Sequence, residues 1–310
     1  MTTPNRIARL FVFLAGVVLG SSVRADLPGP LVDTAWLASH RDAVAVVDVR
    51  YNSEAFMELG HIPGAVFIDW HDIRATRIED GVELVGMLPG PEDFAQLMRR
   101  AGISDGTQVV IVNGGRNSAQ VTAAARLYWQ LKYYGHDAVA LLDGGKAAWK
   151  QAGLPISHDA PVAPPPGTFA IGDGRPEFLA TLADVDTALD TGSAALYDAR
   201  EFGPYFGLYH SATVTTGGHI PGAGFAPSDA FLTPGPVKRF LDDTTLRRAM
   251  TGLGADGPAI VYCNCNTGHF AAGTWFALHE LAGNSQVSLY DGSMNEWTRR
   301  GRPVVAFSME

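Results

Sequence analysis

Short apolar runs alternate along this chain with longer stretches whose apolar residues recur every three to four positions. AVAVVDV (43–49), GAVFID (64–69), QVVIVN (108–113) and AVALLD (138–143) have the length and composition of buried strands. AALYDA (194–199), GAGFA (222–226), AIVYCN (259–264) and QVSLYD (286–291) follow in the same order. Between them, AQVTAAARLYWQLKYYG (119–135) and FAAGTWFALHELAG (270–283) carry helical periodicity and stop at Gly135 and Gly283. Strands alternating with helices predict an α/β chain with mainly parallel, doubly wound sheets and helices on both faces. Ligands of such sheets sit beyond the carboxyl ends of the strands.

The order is a repeat. VVDVR (46–50) precedes GHIPGA at 60–65, and LYDAR (196–200) precedes GHIPGA at 218–223. LLDGGKAAW (141–149) matches LYDGSMNEW (289–297), and GLPI (153–156) matches GRPV (301–304). A unit this long, met twice, is a duplicated domain rather than a solenoid repeat. The reading is a first domain at 28–156, a second at 175–310, and between them a Pro- and Gly-rich stretch, 157–174, with the composition of a semi-rigid linker.

Composition narrows the class. The net charge is −9, from 32 acidic and 23 basic residues, with no cationic cluster to serve as a nucleic-acid footprint. An apolar fraction of 46% with 15 Phe, 6 Trp and 9 Tyr predicts filled cores. At the start, Arg6 and Arg9 precede LFVFLAGVVLG (10–20) and then Val23-Arg24-Ala25. This layout predicts a secretory signal peptide over 1–25, cut after Ala25, and an exported, periplasmic protein with no membrane segment after cleavage. The apolar run is short of the about 20 residues that span a bilayer.

Two copies act as controls for each other. His61 and His219 lie in the shared GHIPGA, and Trp149 and Trp297 in the shared DGG/DGS segments, so all four read as turn and packing residues. The loops after the third strand of each copy differ. IVNGGRNSAQ (111–120) has no thiol, whereas VYCNCNTGHF (261–270) holds both cysteines of the chain, Cys263 and Cys265. Only the second copy offers thiol chemistry. The thiolate is the nucleophilic form, and inward-pointing amides of a tight loop followed by a helix would favour it.

The order D-x-R, GHIPGA, strand-Cys loop, YDGS and Trp resembles the rhodanese family, in particular the tandem-domain thiosulfate and 3-mercaptopyruvate sulfurtransferases, over about residues 28–305. The resemblance implies two tandem rhodanese-like domains, the first inactive and the second catalytic. Family loops run C-x-x-G-x-x, and starting at Cys265 places Gly268 in register, so Cys265 is the implied nucleophile and persulfide carrier. Asn266, Thr267, Gly268, His269 and Phe270 complete the loop. Arg200 matches a substrate-binding arginine; its echo Arg50 in the first copy makes a structural ion pair the other reading. A second family arginine is absent, with Pro204 and Tyr205 in that stretch. His269 is read either as a partly charged contributor to anion binding or as an exposed loop residue without a role.

The implied reaction moves a sulfane sulfur from thiosulfate to cyanide or a thiol, with no metal or organic cofactor. Thr267 falls where mercaptopyruvate enzymes carry a serine, which keeps 3-mercaptopyruvate as the alternative donor. Two readings of another class stand beside it. One is a non-catalytic sulfur carrier. The other is a soft-metal site made by Cys263, Cys265 and His269, against which no C-x2-C spacing occurs elsewhere. Cys263, two positions back along the strand, is a candidate secondary thiol that discharges or protects Cys265. The absence of an arginine six residues after either cysteine argues against phosphatase chemistry.

Overall fold

The computed structural model describes residues 26–172, 174–263 and 269–307. In the first domain the strands are β1 (Leu31–Val32), β2 (Ala45–Arg50), β3 (Val66–Asp69), the hairpin β4 (Ala75–Glu79) and β5 (Val82–Met87), β6 (Val109–Val112) and β7 (Val139–Leu142). Five of them form a parallel sheet in the order β1-β7-β6-β2-β3, and the β4–β5 hairpin stands apart. The helices are α1 (Thr34–His40), α2 (Ser53–Glu58), α3 (Pro91–Arg100), α4 (Ser118–Tyr133) and α5 (Gly145–Gln151). The second domain supplies β8 (Leu179–Ala180), β9 (Ala195–Asp198), β10 (Gly224–Phe225), β11 (Ala259–Tyr262) and β12 (Val287–Tyr290). They pair in the equivalent order β8-β12-β11-β9-β10, again in parallel. Its helices are α6 (Leu182–Thr191), α7 (Phe202–Tyr205), α8 (Asp243–Leu253), α9 (His269–Trp275) and α10 (Ser293–Arg299).

Alternation along each strand builds a two-sided sheet. Val46, Val110, Val112, Ala140 and Leu142 pack with Leu37, Phe56 and Trp149 on one face. Val47, Val49, Val109, Ile111, Val139 and Leu141 face Phe94 and Trp129 on the other. That second cluster does not end at the domain boundary: it continues through Tyr128 and Trp275 to Val261 and Leu289 of the other sheet. Helices α4 and α9 meet there through small residues. A Cβ on Gly273 would run into Thr122 Cγ2. Around this crossing the Tyr128 ring meets Phe276 edge-on at 4.8 Å, and Trp129 Nε1 donates to Phe178 O at 3.1 Å. Beyond Trp275 the helix widens into π turns over Phe276–Leu281 and stops before Gly283, whose φ of +86° only glycine adopts readily.

Two backbone contacts lock the domains reciprocally. Leu88 N–H donates to Asp291 Oδ2 at 2.6 Å, and Phe240 N–H donates to Asp143 Oδ1 at 3.0 Å. Each aspartate opens the DG segment after the last internal strand of its sheet, so each domain presents the same end to the other.

The joining stretch is packed down onto the first domain. Gly167 N–H donates to Arg99 O, Thr168 N–H to Ser104 Oγ, and Arg99 Nε to Phe169 O. Phe169 is buried edge-on against Phe94. Stiffness there comes from these anchors as well as from proline content.

Residues 1–25, expected from the sequence to be a signal peptide, lie outside the described residues. Among the described residues, no helix is long and apolar enough to cross a membrane.

Candidate active site

Each domain carries a buried Asp–Arg pair at the end of an internal strand, β2 in the first and β9 in the second. Arg50 Nε donates to Asp48 Oδ1 at 2.6 Å and its Nη2 to Oδ2 at 2.9 Å. Arg200 repeats this with Asp198, Nη2 to Oδ2 at 2.5 Å, and adds Nη1 to Pro204 O at 3.1 Å and Nη2 to Gly218 O at 2.6 Å. Its side chain is 1% exposed. Of the two sequence readings of Arg200, the structural ion pair is the one these contacts form. Through Gly218 O these bonds also tie the DAR turn to the first residue of GHIPGA.

The shared histidines have packing roles. His61 stacks on Phe56 with centroids 3.7 Å apart, and its Nδ1 lies 3.4 Å from Phe56 O. His219 stacks on Tyr205 at 3.9 Å with Nδ1 2.9 Å from Tyr205 O. Trp149 and Trp297 donate from Nε1 to Pro155 O and Pro303 O, each at 2.7 Å.

Strand register identifies which positions of the two loops correspond. Asp48 pairs with Val112, and Asp198 pairs with Tyr262. Val112 and Tyr262 are therefore equivalent, and counting onward makes Asn113 the counterpart of Cys263 and Gly115 that of Cys265. Gly115 has φ +72°. A Cβ there would be driven into Gly144 O and would lie 3.2 Å from Ala147 Cβ. Gly115 O also accepts from Lys238 N–H of the second domain at 2.8 Å. The first-copy position is thus closed to any side chain, and the missing thiol there follows from packing.

Cys265, Asn266, Thr267 and Gly268 lie outside the described residues. Their neighbours on either side are placed. Cys263 is fully buried; its N–H donates to Ser293 Oγ at 3.2 Å, and its carbonyl accepts from Met294 N–H at 3.1 Å. His269 opens α9 and is 6% exposed, so it is not the exposed loop histidine of the sequence reading. Burial pushes its pKa down to about 3, with the positive fields of Arg74 and Arg126 adding to the effect. It is neutral near pH 7, which also removes the reading in which it carries partial positive charge. Phe270 stacks on it with centroids 4.6 Å apart.

The first domain forms a wall against this loop end. Trp70 meets His269 edge-on at 4.9 Å, and the Arg74 guanidinium lies 4.7 Å above the Trp70 ring. Arg74 also borders a cleft of about 350 Å³, shared by His71, Thr76, Val85, Gly86 and Thr213 of the second domain. Arg126, on α4, is 0% exposed. Its guanidinium lies 4.7 Å over Trp129, and its Nη2 is 2.6 Å from Asp291 Oδ1. Trp70, Arg74 and Arg126 were missed in the sequence. Arg126 did leave a signal: it is a lone cation in AAARLYW, where every residue from Val121 to Leu131 is buried. An unprompted arginine inside an apolar helix marks a polar site. Among the described residues, no group of His, Cys, Asp or Glu is arranged to hold a metal.

Comparison with known proteins agrees with the duplication and the sheet order. The profile of the rhodanese-like domain matches residues 32–152 and 181–300. A thiosulfate sulfurtransferase of Corynebacterium glutamicum is 31% identical over 282 residues, covering 87% of this chain and 88% of that protein. The sulfur carrier protein TtuD of Thermus thermophilus is 31% identical over 281 residues, covering 87% of this chain and 94% of that one. Among solved structures, an anaerobic ergothioneine biosynthesis enzyme from Chlorobium limicola superposes with a TM-score of 0.76 at 24% identity, over 90% of this chain and 70% of that one, a likeness of fold. With two matched domains covering most of its length, the chain belongs to the rhodanese-like family.

Proposed function

We propose that the protein is a sulfurtransferase that carries sulfane sulfur from thiosulfate to cyanide or a thiol through a persulfide on Cys265. The observation that carries this reading is the asymmetry of two otherwise equivalent loops: glycine without room for a Cβ in the first, cysteine at the same count from the strand in the second. Two peptide units separate Cys265 from the buried Cys263, so its Cα stays within about 7 Å of that fixed point. Arg74 and Arg126 give the neighbourhood of His269 a positive potential, which favours both a thiolate and an anionic donor.

In the first half-reaction the Cys265 thiolate attacks the outer sulfur of thiosulfate. A sulfur–sulfur bond forms to the cysteine, the bond to the sulfonate sulfur breaks, and sulfite leaves with the electron pair. In the second, cyanide or a thiolate attacks the terminal sulfur, and the cysteine thiolate is restored. The amides of residues 266–270 are proposed to cradle the terminal sulfur. The scheme draws on no metal or organic cofactor. Export to the periplasm is part of the same proposal and rests on the N-terminal pattern alone.

Two other readings have support of their own. Thr267 keeps 3-mercaptopyruvate as a donor, and the likeness to a sulfur carrier protein keeps persulfide delivery to a protein acceptor. Intact mass after thiosulfate should show one added sulfur, removed by dithiothreitol, and Cys265→Ser should show none. Steady-state rates with thiosulfate against 3-mercaptopyruvate decide the donor. A persulfide that forms but does not turn over with cyanide would point to the carrier reading. Transfer at the wild-type rate by Cys265→Ser would refute the assignment.

A further inference from the structure

Among the described residues, two that are not glycine take a positive φ, Asp80 at +50° and Ser293 at +51°. Asp80 lies with Gly81 in the exposed turn of the β4–β5 hairpin, where such angles are ordinary. Ser293 is different. It is 2% exposed and opens α10, and a side chain in this region of backbone space carries strain. Strain of this kind persists where the surroundings impose it, and it collects at working sites.

The first copy shows that the turn itself needs no serine. Counting from Asp143 and Asp291 makes Gly145 the counterpart of Ser293, and Gly145 adopts φ +52° without a Cβ. Asn113 requires a glycine there: a Cβ would stand 2.5 Å from its backbone O and 2.6 Å from its Oδ1. That Oδ1 is turned back onto its own loop and accepts from Gly115 N–H at 2.7 Å. In the second copy both members of the pair change together, Cys263 for Asn113 and Ser293 for Gly145. The strand end stands farther off: Met294 N–H to Cys263 O is 3.1 Å, against 2.7 Å for Lys146 N–H to Asn113 O. The serine hydroxyl joins two strand ends, accepting from Cys263 N–H at 3.2 Å and donating to Tyr290 O at 2.7 Å. The paired register of β11 with β12 stops at Val261 and Leu289. This hydroxyl therefore extends the bonding of the sheet past its ladder, up to the residue two before Cys265.

We propose that Ser293 is a positioning residue for sulfur transfer: its hydroxyl braces the end of β11 against the end of β12 and so sets how the chain runs on toward Cys265. A side chain at 263 shorter than asparagine is the condition for it. The proposal rests on the reading of Cys265 as the transferring thiol. A reacting atom displaced by about 1 Å can lose roughly two orders of magnitude in rate. A brace at this point therefore accounts for strain that a glycine would avoid.

The test compares the full chain with its Ser293→Ala and Ser293→Gly variants. Both remove the hydroxyl, and glycine also relieves the backbone. For transfer from thiosulfate to cyanide, kcat should fall about tenfold in both while KM for thiosulfate stays within about twofold. Ser293→Gly should nevertheless melt above Ser293→Ala. A residue that served stability alone would let the rate follow the melting temperature. Hydrogen exchange at the Cys263 amide, read by NMR, should quicken about tenfold in both variants, and it reports the brace whether or not sulfur moves. The pair of the inert copy, Cys263→Asn/Ser293→Gly, should transfer no faster than Ser293→Gly. The proposal is overturned if Ser293→Ala keeps the wild-type kcat, if the kcat of Ser293→Gly recovers along with its melting temperature, if the double variant outpaces Ser293→Gly, or if the Cys263 amide exchanges as in the wild type. A wild-type protein that takes up no sulfur from thiosulfate defeats the sulfurtransferase reading instead, and the exchange rates then decide the brace.

Discussion

Arg200 and Arg126 are equally hidden, at 1% and 0% exposure, but their surroundings differ. Arg200 has matched donors and a bidentate carboxylate. Arg200→Ala is expected to leave Asp198 charged and unpaired in the core, at about 3–5 kcal/mol of stability. Chemical denaturation should register that loss, whereas KM for thiosulfate in the surviving folded fraction should move little. For His269 the pH dependence has a definite sign. Unfolded, it binds a proton below about 6.5; folded, only below about 3. Between those values the unfolded chain holds more protons, so stability falls as the solution is acidified from about pH 6.5 toward pH 3. His61 and His136 are lowered by burial too and contribute in the same direction. Melting temperature against pH should therefore slope less steeply in His269→Gln than in the wild type, without becoming flat.

At the scale of elements, the two sheet-end loops and the crossing of α4 with α9 carry separate predictions. Gly115→Cys places a thiol at the first-copy equivalent of residue 265, where a Cβ meets Gly144 O and φ is +72°. The variant is expected to lose stability, by about 1–3 kcal/mol as for other overpacked sites. It should also take up a single sulfur from thiosulfate, as seen by intact mass; two added sulfurs would contradict the closed loop. Gly273→Val forces α9 away from Thr122. It should lower both the melting temperature and sulfur transfer, since α9 begins at His269 and α4 carries Arg126. A melting temperature and rate equal to wild type would show that the crossing tolerates the extra volume.

Across the whole molecule, one apolar cluster runs through both domains, and the Leu88–Asp291 and Phe240–Asp143 contacts close it from either side. Calorimetry is expected to show a single cooperative transition for the full chain, and the segment 175–310 expressed alone should be insoluble or inactive, because it lacks Trp70, Arg74 and Arg126. The duplication, the alternation of strand and helix, the helix stops at Gly135 and Gly283, and the packing roles of His61, His219, Trp149 and Trp297 were all legible in the chain. Periodicity and internal repetition are local properties, and the two copies check each other. The candidate thiol was legible for the same reason: a residue type present in one copy and absent from the other needs no coordinates to be noticed. Arg200 was ambiguous, since a D-x-R string reads alike whether its arginine faces a ligand or its own aspartate. Which cations surround the loop end, that His269 is buried and neutral, and that Arg126 of the first domain pairs with Asp291 of the second were decided only by tertiary structure. These depend on contacts between residues more than a hundred positions apart, set by how two sheets present their ends to each other, and no pattern along a single chain encodes that distance.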